Sequence, residues 1–349
     1  MTEVPPRHYR SFAEQSLKYF IRDHTEVPDG PVDSPAAWLG RDLRDIPDTW
    51  RVPLAPEEIA ELDAALDRFE AAGIDFAEIR GGGLPALENR AAGWQEDLRT
   101  GRGFVVLSGL PVDRWGEARS SRAYWLLGHL IGIPGAQNAS NELLGHVIDY
   151  GEQTDQPNVR LYRTTADIGY HCDAADVVGL LCLLDAAEGG VSRIASSVAI
   201  WNRLFQEDPD AARILFEPFA VDRRDEQPEG DRPFFEMPPC RYGADGVLRT
   251  FFHGAYFRSA QRLAEIGPLS PERAHALERY DEIGNDPDFC LDMELSPGDV
   301  QLLSNHTVVH ARTAYREHPD RKRHLLRLWL SLPERTSAPD QARRRPESR

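Results

Sequence analysis

The feature that most restricts the fold is a pair of short segments far apart in the chain. One is Tyr170-His171-Cys172-Asp173, and the other runs Asn305-His306-Thr307-Val308-Val309-His310. Successive side chains of an extended strand point to opposite faces, so His171 and Asp173 project together while Cys172 turns away. Two imidazoles and one carboxylate form a facial donor set that leaves coordination positions open on ferrous iron and suits oxygen activation. His310 can join the other two only if a folded core brings remote segments together.

The surrounding pattern says what kind of core. From residue 159 onward the chain consists of short β-rich runs, at 159–162, 177–184, 193–198, 247–252, 300–304 and 325–332, flanking both segments. Helices are predicted between them at 199–206, 209–216 and 271–283, the last capped by Ser270 with Pro271 in its first turn. This predicts a mainly β fold with flanking helices, built on a double-stranded β-helix, the cupin-like jelly roll, whose interior holds a pocket.

Upstream, Pro56, Glu57 and Glu58 open a helix within 53–73, and Ile59, Leu62, Leu66 and Phe69 fall on one stripe of it. Further helices are expected at 86–99 and 119–131, with a buried strand at 103–107. The expected division is an N-terminal arm and helical lead-in over 1–100, packed on the core; a jelly-roll domain over 101–332; and a disordered tail over 333–349.

A chain of 349 residues can bury a substantial core without covalent staples. Its four cysteines, Cys172, Cys182, Cys240 and Cys290, form no CxxC pair, so neither a disulfide framework nor a structural zinc site is expected and a reducing cytosol fits. The start of the chain lacks a charged region followed by an apolar run, and no apolar stretch is long enough to span a bilayer. The expectation is a cytoplasmic protein with no membrane association. A formal charge of −17 argues against a nucleic-acid surface. A small molecule is the expected partner, and self-association into a homo-oligomer is left open.

More of the pattern follows. Gly189-Gly190-Val191-Ser192 comes after the β run that follows Asp173; Asn305 stands five before His310; and Arg323 and Arg327 stand four apart beyond it. Together with His171-Cys172-Asp173, this ordered set resembles the taurine-dioxygenase-like (TauD/TfdA) family over roughly residues 100–332. The resemblance implies an Fe(II)- and 2-oxoglutarate-dependent dioxygenase that consumes O2, releases succinate and CO2, and most often hydroxylates its substrate. It implies His171, Asp173 and His310 as iron ligands, Arg323 as partner of the distal carboxylate of 2-oxoglutarate, and Ser192 as a hydroxyl donor to the same group. The family often has threonine at the position of Ser192, and the hydroxyl is retained.

Physical chemistry supports the arginine, because a planar guanidinium meets a carboxylate through two parallel hydrogen bonds and lysine cannot. Arg327, on the same strand face, is expected to touch the co-substrate or an anionic group of the substrate. Asp173, being a carboxylate, vacates no position for halide, which disfavours halogenation. His306 shares strand parity with His310 and is read as a solvated or supporting residue, Asp176 likewise as supporting, and Arg312 as a surface salt-bridge partner. Pocket lining is expected from 136–141, 160–165 and 251–258, with Gln137, Asn138 and Arg258 suited to a small polar or carboxylate-bearing molecule. Two rival readings use the same pocket: a non-catalytic jelly-roll binding protein, and a zinc-dependent hydrolase.

Overall fold

The structure is a computed structural model and describes residues 8–21, 24, 26–152, 160–227 and 229–333. Two sheets face one another. The larger has seven strands: β1 (Arg51–Pro53), β2 (Phe104–Ser108), β3 (Ile133–Gly135), β4 (Gly145–Ile148), β6 (Val177–Leu184), β9 (Val300–Ser304) and β11 (His324–Ser331). Their order is β1-β2-β9-β6-β11-β3, with β4 also on β11, and every pairing except β1–β2 is antiparallel. The smaller sheet is antiparallel, in the order β8 (Cys290–Met293), β7 (Ser192–Ser196), β10 (Val308–Arg312), β5 (Ile168–His171).

Strand alternation sorts the side chains into layers. Phe104, Val106, Val178, Leu303 and Trp329 of the large sheet meet Ile194, Leu291, Met293 and Val308 of the small one. The opposite face of the large sheet, with Val105, Leu107, Leu302, Leu326 and Leu328, is covered by helices α2 (Pro56–Ala71), α3 (Pro85–Arg99) and α4 (Val112–Ile131). The outer face of the small sheet, with Tyr170, Ala195 and Val309, is covered by α5 (Ser197–Glu207), α6 (Pro209–Ile214), α7 (Gly254–Ser259) and α8 (Pro271–Asn285). The expected jelly-roll core is therefore present, between two helical layers that are larger than a mainly β reading implies.

The described residues between 10 and 50 are tied to this core. Helix α1 (Phe12–Phe20) opens with a capping box between Ser11 and Glu14, and Tyr19, Trp38 and Trp50 are buried. The strand expected at 159–162 starts outside the described residues, and Leu161–Arg163 forms a single 3-10 turn instead. The backbone N–H groups of Arg163 and Thr164 and the Thr164 hydroxyl all close locally, on the Arg160 and Leu161 carbonyls, so these donors do not enter a strand ladder. Of the tail over 333–349, all but Pro333 lies outside the described residues. Among the described residues no helix is long and apolar enough to cross a membrane.

Candidate active site

The end of β5 lies against the middle of β10, where His171 and His310 are direct cross-strand partners with ring centroids 4.1 Å apart. The strand stops at His171, and Asp173 sits just beyond it in a bend closed by the Ala175 N–H on the Asp173 carbonyl at 2.9 Å. What aims Asp173 is Asn305. Its Oδ1 accepts the Asp173 N–H at 3.0 Å while its Nδ2 donates to the Ala175 carbonyl at 3.0 Å. Cys172 turns the other way into the helical layer, as strand parity requires.

Asp173 Oδ2 lies 3.9 Å from His310 Nε2. Both side chains are buried, and Asp173 Oδ2 and His310 Nδ1 have no hydrogen-bond partner among the described residues. The His171 Nδ1 lies 3.0 Å from the Gly169 carbonyl, which fixes its proton there and leaves the Nε2 lone pair outward, the tautomer a metal ligand needs. Burial, then the neighbouring His171, push the His310 imidazole down to about 3, and burial also lowers His171, so both rings are neutral. Burial alone would raise the Asp173 carboxyl. The Arg327 guanidinium and the two imidazoles outweigh it and hold the group below its usual range, ionised.

An orphaned buried carboxylate oxygen facing two neutral imidazoles fits ferrous iron. The three donor atoms do not all lie within 4.8 Å of one another, a condition met among the described residues by a different cluster, Glu117, His146 and His324. Closure on an ion at His171, Asp173 and His310 therefore takes rotation of a side chain.

Arg327 lies within β11 and Arg323 just before it, and they meet different neighbours. Arg327 Nη1 is 3.4 Å from Asp173 Oδ1, its Nε donates to Gln137 Oε1 at 2.7 Å, and its guanidinium lies over Tyr162 and Trp329. Arg323 is buried, donates through Nη2 to the Gly190 carbonyl at 3.1 Å, lies against Tyr315, and has an Nη1 with no partner among the described residues. Ser192 is buried near this group, and its hydroxyl donates to Gln301 Oε1 at 2.9 Å.

Of the three residues expected to face the substrate, the structure brings one to the site. Gln137 clasps Arg327 from both sides, accepting from Nε and donating to its carbonyl at 2.7 Å. Asn138 instead holds its own turn, accepting from the N–H groups of Ser140 and Glu142, and Arg258 is exposed and paired with Asp281 at 2.6 Å. Short polar side chains satisfy nearby backbone first, and an arginine in the last turn of a helix finds the nearest acid.

Arg312 also departs from expectation. It is buried rather than on the surface, its Nη2 donates to the carbonyls of Leu161, Thr164 and Ala166, and its guanidinium packs on Tyr315, as that of Arg323 does. His306 bonds Asp176, which also receives Lys18 and the Leu332 N–H, so both are supports behind the site. His253, within the run 251–258 expected to line the pocket but not singled out there, has its ring 5.3 Å from that of His171 and stacked on Tyr256; the Tyr256 hydroxyl in turn accepts from Arg160. The signal was the aromatic run 251–258, which periodicity alone does not assign to core or cleft.

The fold is one already seen in non-haem iron oxygenases. It matches asparagine oxygenase in complex with Fe(II), 3-hydroxyasparagine and succinate at a TM-score of 0.62 and 17% identity, over 80% of this chain and 93% of that one. It matches the iron oxygenase OrfP in complex with (3S)-hydroxy-L-Arg at 0.56 and 18%, again over 80% and 93%. Residues 55–329 match the taurine catabolism dioxygenase TauD, TfdA family, and the chain belongs to that family as an Fe(II)- and 2-oxoglutarate-dependent dioxygenase. FR-33289 synthase of Streptomyces rubellomurinus is 29% identical over 316 residues, 88% of this chain and 92% of the relative. The taurine hydroxylase-like protein SAT17 of Stachybotrys chartarum is 27% identical over 311 residues, 86% and 79%. A uridine-5'-phosphate dioxygenase of an Amycolatopsis species is 30% identical over 189 residues, 49% and 64%.

Proposed function

We propose that this dioxygenase hydroxylates a small polar organic molecule bearing an anionic group, with His171, Asp173 and His310 as iron ligands. The observation that carries the substrate class is Arg327, a cation held at the edge of the iron site by Gln137 and facing Asp173. One carboxylate oxygen at 3.4 Å does not saturate a guanidinium with five N–H donors, so a substrate anion finds donors beside the reaction centre. The name of the uridine-5'-phosphate dioxygenase, a relative over about half of this chain, points to an anionic substrate as well.

Bound iron supplies the coupled conversion of 2-oxoglutarate and O2 to succinate and CO2 with oxygen transfer to the substrate. The chain's own residues do the placing. Arg323 receives the distal carboxylate of 2-oxoglutarate on its unpartnered Nη1, and Ser192 reaches the same group by exchanging its bond to Gln301. Tyr162, Trp329 and the His253–Tyr256 stack shape the remaining walls and keep water from the centre.

Anaerobic addition of ferrous iron and 2-oxoglutarate is expected to give a weak visible charge-transfer band that Asp173→Ala lacks. Absence of the band from the wild type removes the assignment. Arg323→Ala is expected to raise the 2-oxoglutarate requirement by one to two orders of magnitude with little change for iron, roughly the loss of one charged hydrogen-bonded pair. Equal effects on both removes its role. A panel of small carboxylates, phosphates and phosphonates, read as succinate formed above the uncoupled rate, then identifies the substrate, and stimulation only by neutral molecules contradicts the role given to Arg327.

A further inference from the structure

A second group of metal-ligating side chains lies on the far side of the large sheet from the iron site. His324 opens strand β11 and Arg323 stands just before it; Arg323 is turned to the Gly190 carbonyl and Tyr315, whereas His324 faces Glu117 of helix α4. His146, on the adjacent strand β4, points the same way, with its Nδ1 2.8 Å from His324 Nε2. Glu117 completes the group from α4, its Oε1 3.9 Å from His146 Nδ1 and its Oε2 3.9 Å from His324 Nδ1.

Its placement is set by the backbone. The helix kinks at Gly116, where φ is 68° and ψ 175°, a left-handed conformation glycine adopts at no steric cost, and the next residue is Glu117. The chain thus breaks a helix at the point that turns a carboxylate over the two imidazoles.

We propose that Glu117, His146 and His324 bind a divalent transition metal, zinc in the first instance, that ties helix α4 to strands β4 and β11. Donor type agrees, since two imidazoles and a carboxylate are a common zinc set with a fourth position for water. Geometry agrees as well. One donor atom from each residue fits within a 4.8 Å span, whereas nitrogens about 2.05 Å from a tetrahedral ion stand about 3.4 Å apart. The histidine pair must open slightly from its hydrogen-bonded 2.8 Å and Glu117 must close from 3.9 Å. Glu117 is exposed and free to do so, while His324 is buried and fixed. Burial also holds the His324 imidazole below its ordinary pKa, leaving it neutral. The proposal stands apart from the iron assignment, sharing no residue with it.

The test is metal stoichiometry by equilibrium dialysis of the metal-stripped chain, free of any affinity tag, against Co2+ and then Zn2+. The wild type is expected to hold two ions per chain. Glu117→Gln and His146→Ala are each expected to hold one and to keep iron-dependent, uncoupled succinate formation. His171→Ala is also expected to hold one, with zinc still raising its melting temperature, and His171→Ala/Glu117→Gln is expected to show neither ion nor shift. An ion count that Glu117→Gln leaves at the wild-type value, or a zinc-dependent shift surviving in the double variant, overturns the proposal. Failure of the iron reading instead shows as loss of the ion that depends on His171 while the one that depends on Glu117 remains.

Discussion

Asn305→Ala tests how the metal-facing bend is held. The side chain is fully buried and makes two hydrogen bonds of 3.0 Å, to the Asp173 N–H and the Ala175 carbonyl, both in buried residues. Truncation leaves a buried donor and a buried acceptor unmet at about 1–3 kcal/mol each, together about 2–6 kcal/mol. At about 2.1 cal/mol/K per residue over 349 residues, that lowers the melting temperature by about 3–8 °C. The same bonds orient a carboxylate proposed to bind iron, and loss of such a support costs roughly 10–100-fold in metal affinity. Calorimetry of the iron-free protein and an iron titration of succinate formation read the two effects separately. Asn305→Asp keeps the acceptor and is expected to retain the Asp173 bond while losing the one to Ala175. A variant Asn305→Ala that melts within a degree of wild type with an unchanged iron requirement refutes the reasoning.

Gly190→Ala places a Cβ 2.8 Å from Arg323 Nε at a φ of +68°; it is expected to cost about 1–2 kcal/mol of stability and to raise the 2-oxoglutarate KM with iron dependence unchanged, and an unaltered KM counts against Arg323. His129 is half-buried beside Ile79 and pushed down to about 4 by desolvation, then by His8. Above the unfolded value near 6.5 it is neutral in both states; below it the unfolded chain binds a proton that the folded one refuses, so stability falls between pH 6.5 and 4 by up to about 3 kcal/mol. His129→Leu is expected to flatten that part of the urea midpoint against pH, and an identical slope rejects the assignment. Iron with 2-oxoglutarate, each near a hundredfold over its Kd, adds about 2.7 kcal/mol per ligand by mass action, read as a melting shift of several degrees that Asp173→Ala and Arg323→Ala each reduce.

How much of this was legible follows from which signals side chains carry. The strand at 300–304 coincides with the structure, and the helix opened by Pro56 runs Pro56–Ala71, because apolar runs and first-turn residues encode those elements locally. The meeting of His171 with His310 was readable from donor chemistry, since few reasons exist to separate such residues between β runs. Strands as short as Ile133–Gly135 and Gly145–Ile148 carry too few residues for any period and are defined by their pairing with the last strand. Arg312 was read as a surface cation because its acceptors are backbone carbonyls, which sequence does not mark. Asn138 and Arg258 were assigned by residue type, and local partners claimed them first.

The unmet buried atoms of the site divide into two electrostatic halves, and the division bears on ligand order. Two buried guanidiniums lie against the Tyr315 ring: Arg312 has Nε and Nη1 without partners among the described residues, Arg323 has Nη1, and the Tyr315 hydroxyl is also unmet. Burial and then the charge of Arg323 push Arg312 down to about 10, as expected where like charges share a dry site. Around Asp173 the balance is reversed, with Arg327 already countering one carboxylate oxygen and the other left open. On the proposed assignment a keto diacid would satisfy the first half through its distal carboxylate, and a cation the second. A dianion that enters before the metal meets an ionised Asp173 at its proximal end, whereas one that enters after it meets a neutralised centre. On the proposed assignment, metal binding therefore strengthens 2-oxoglutarate binding, and linkage makes the effect reciprocal.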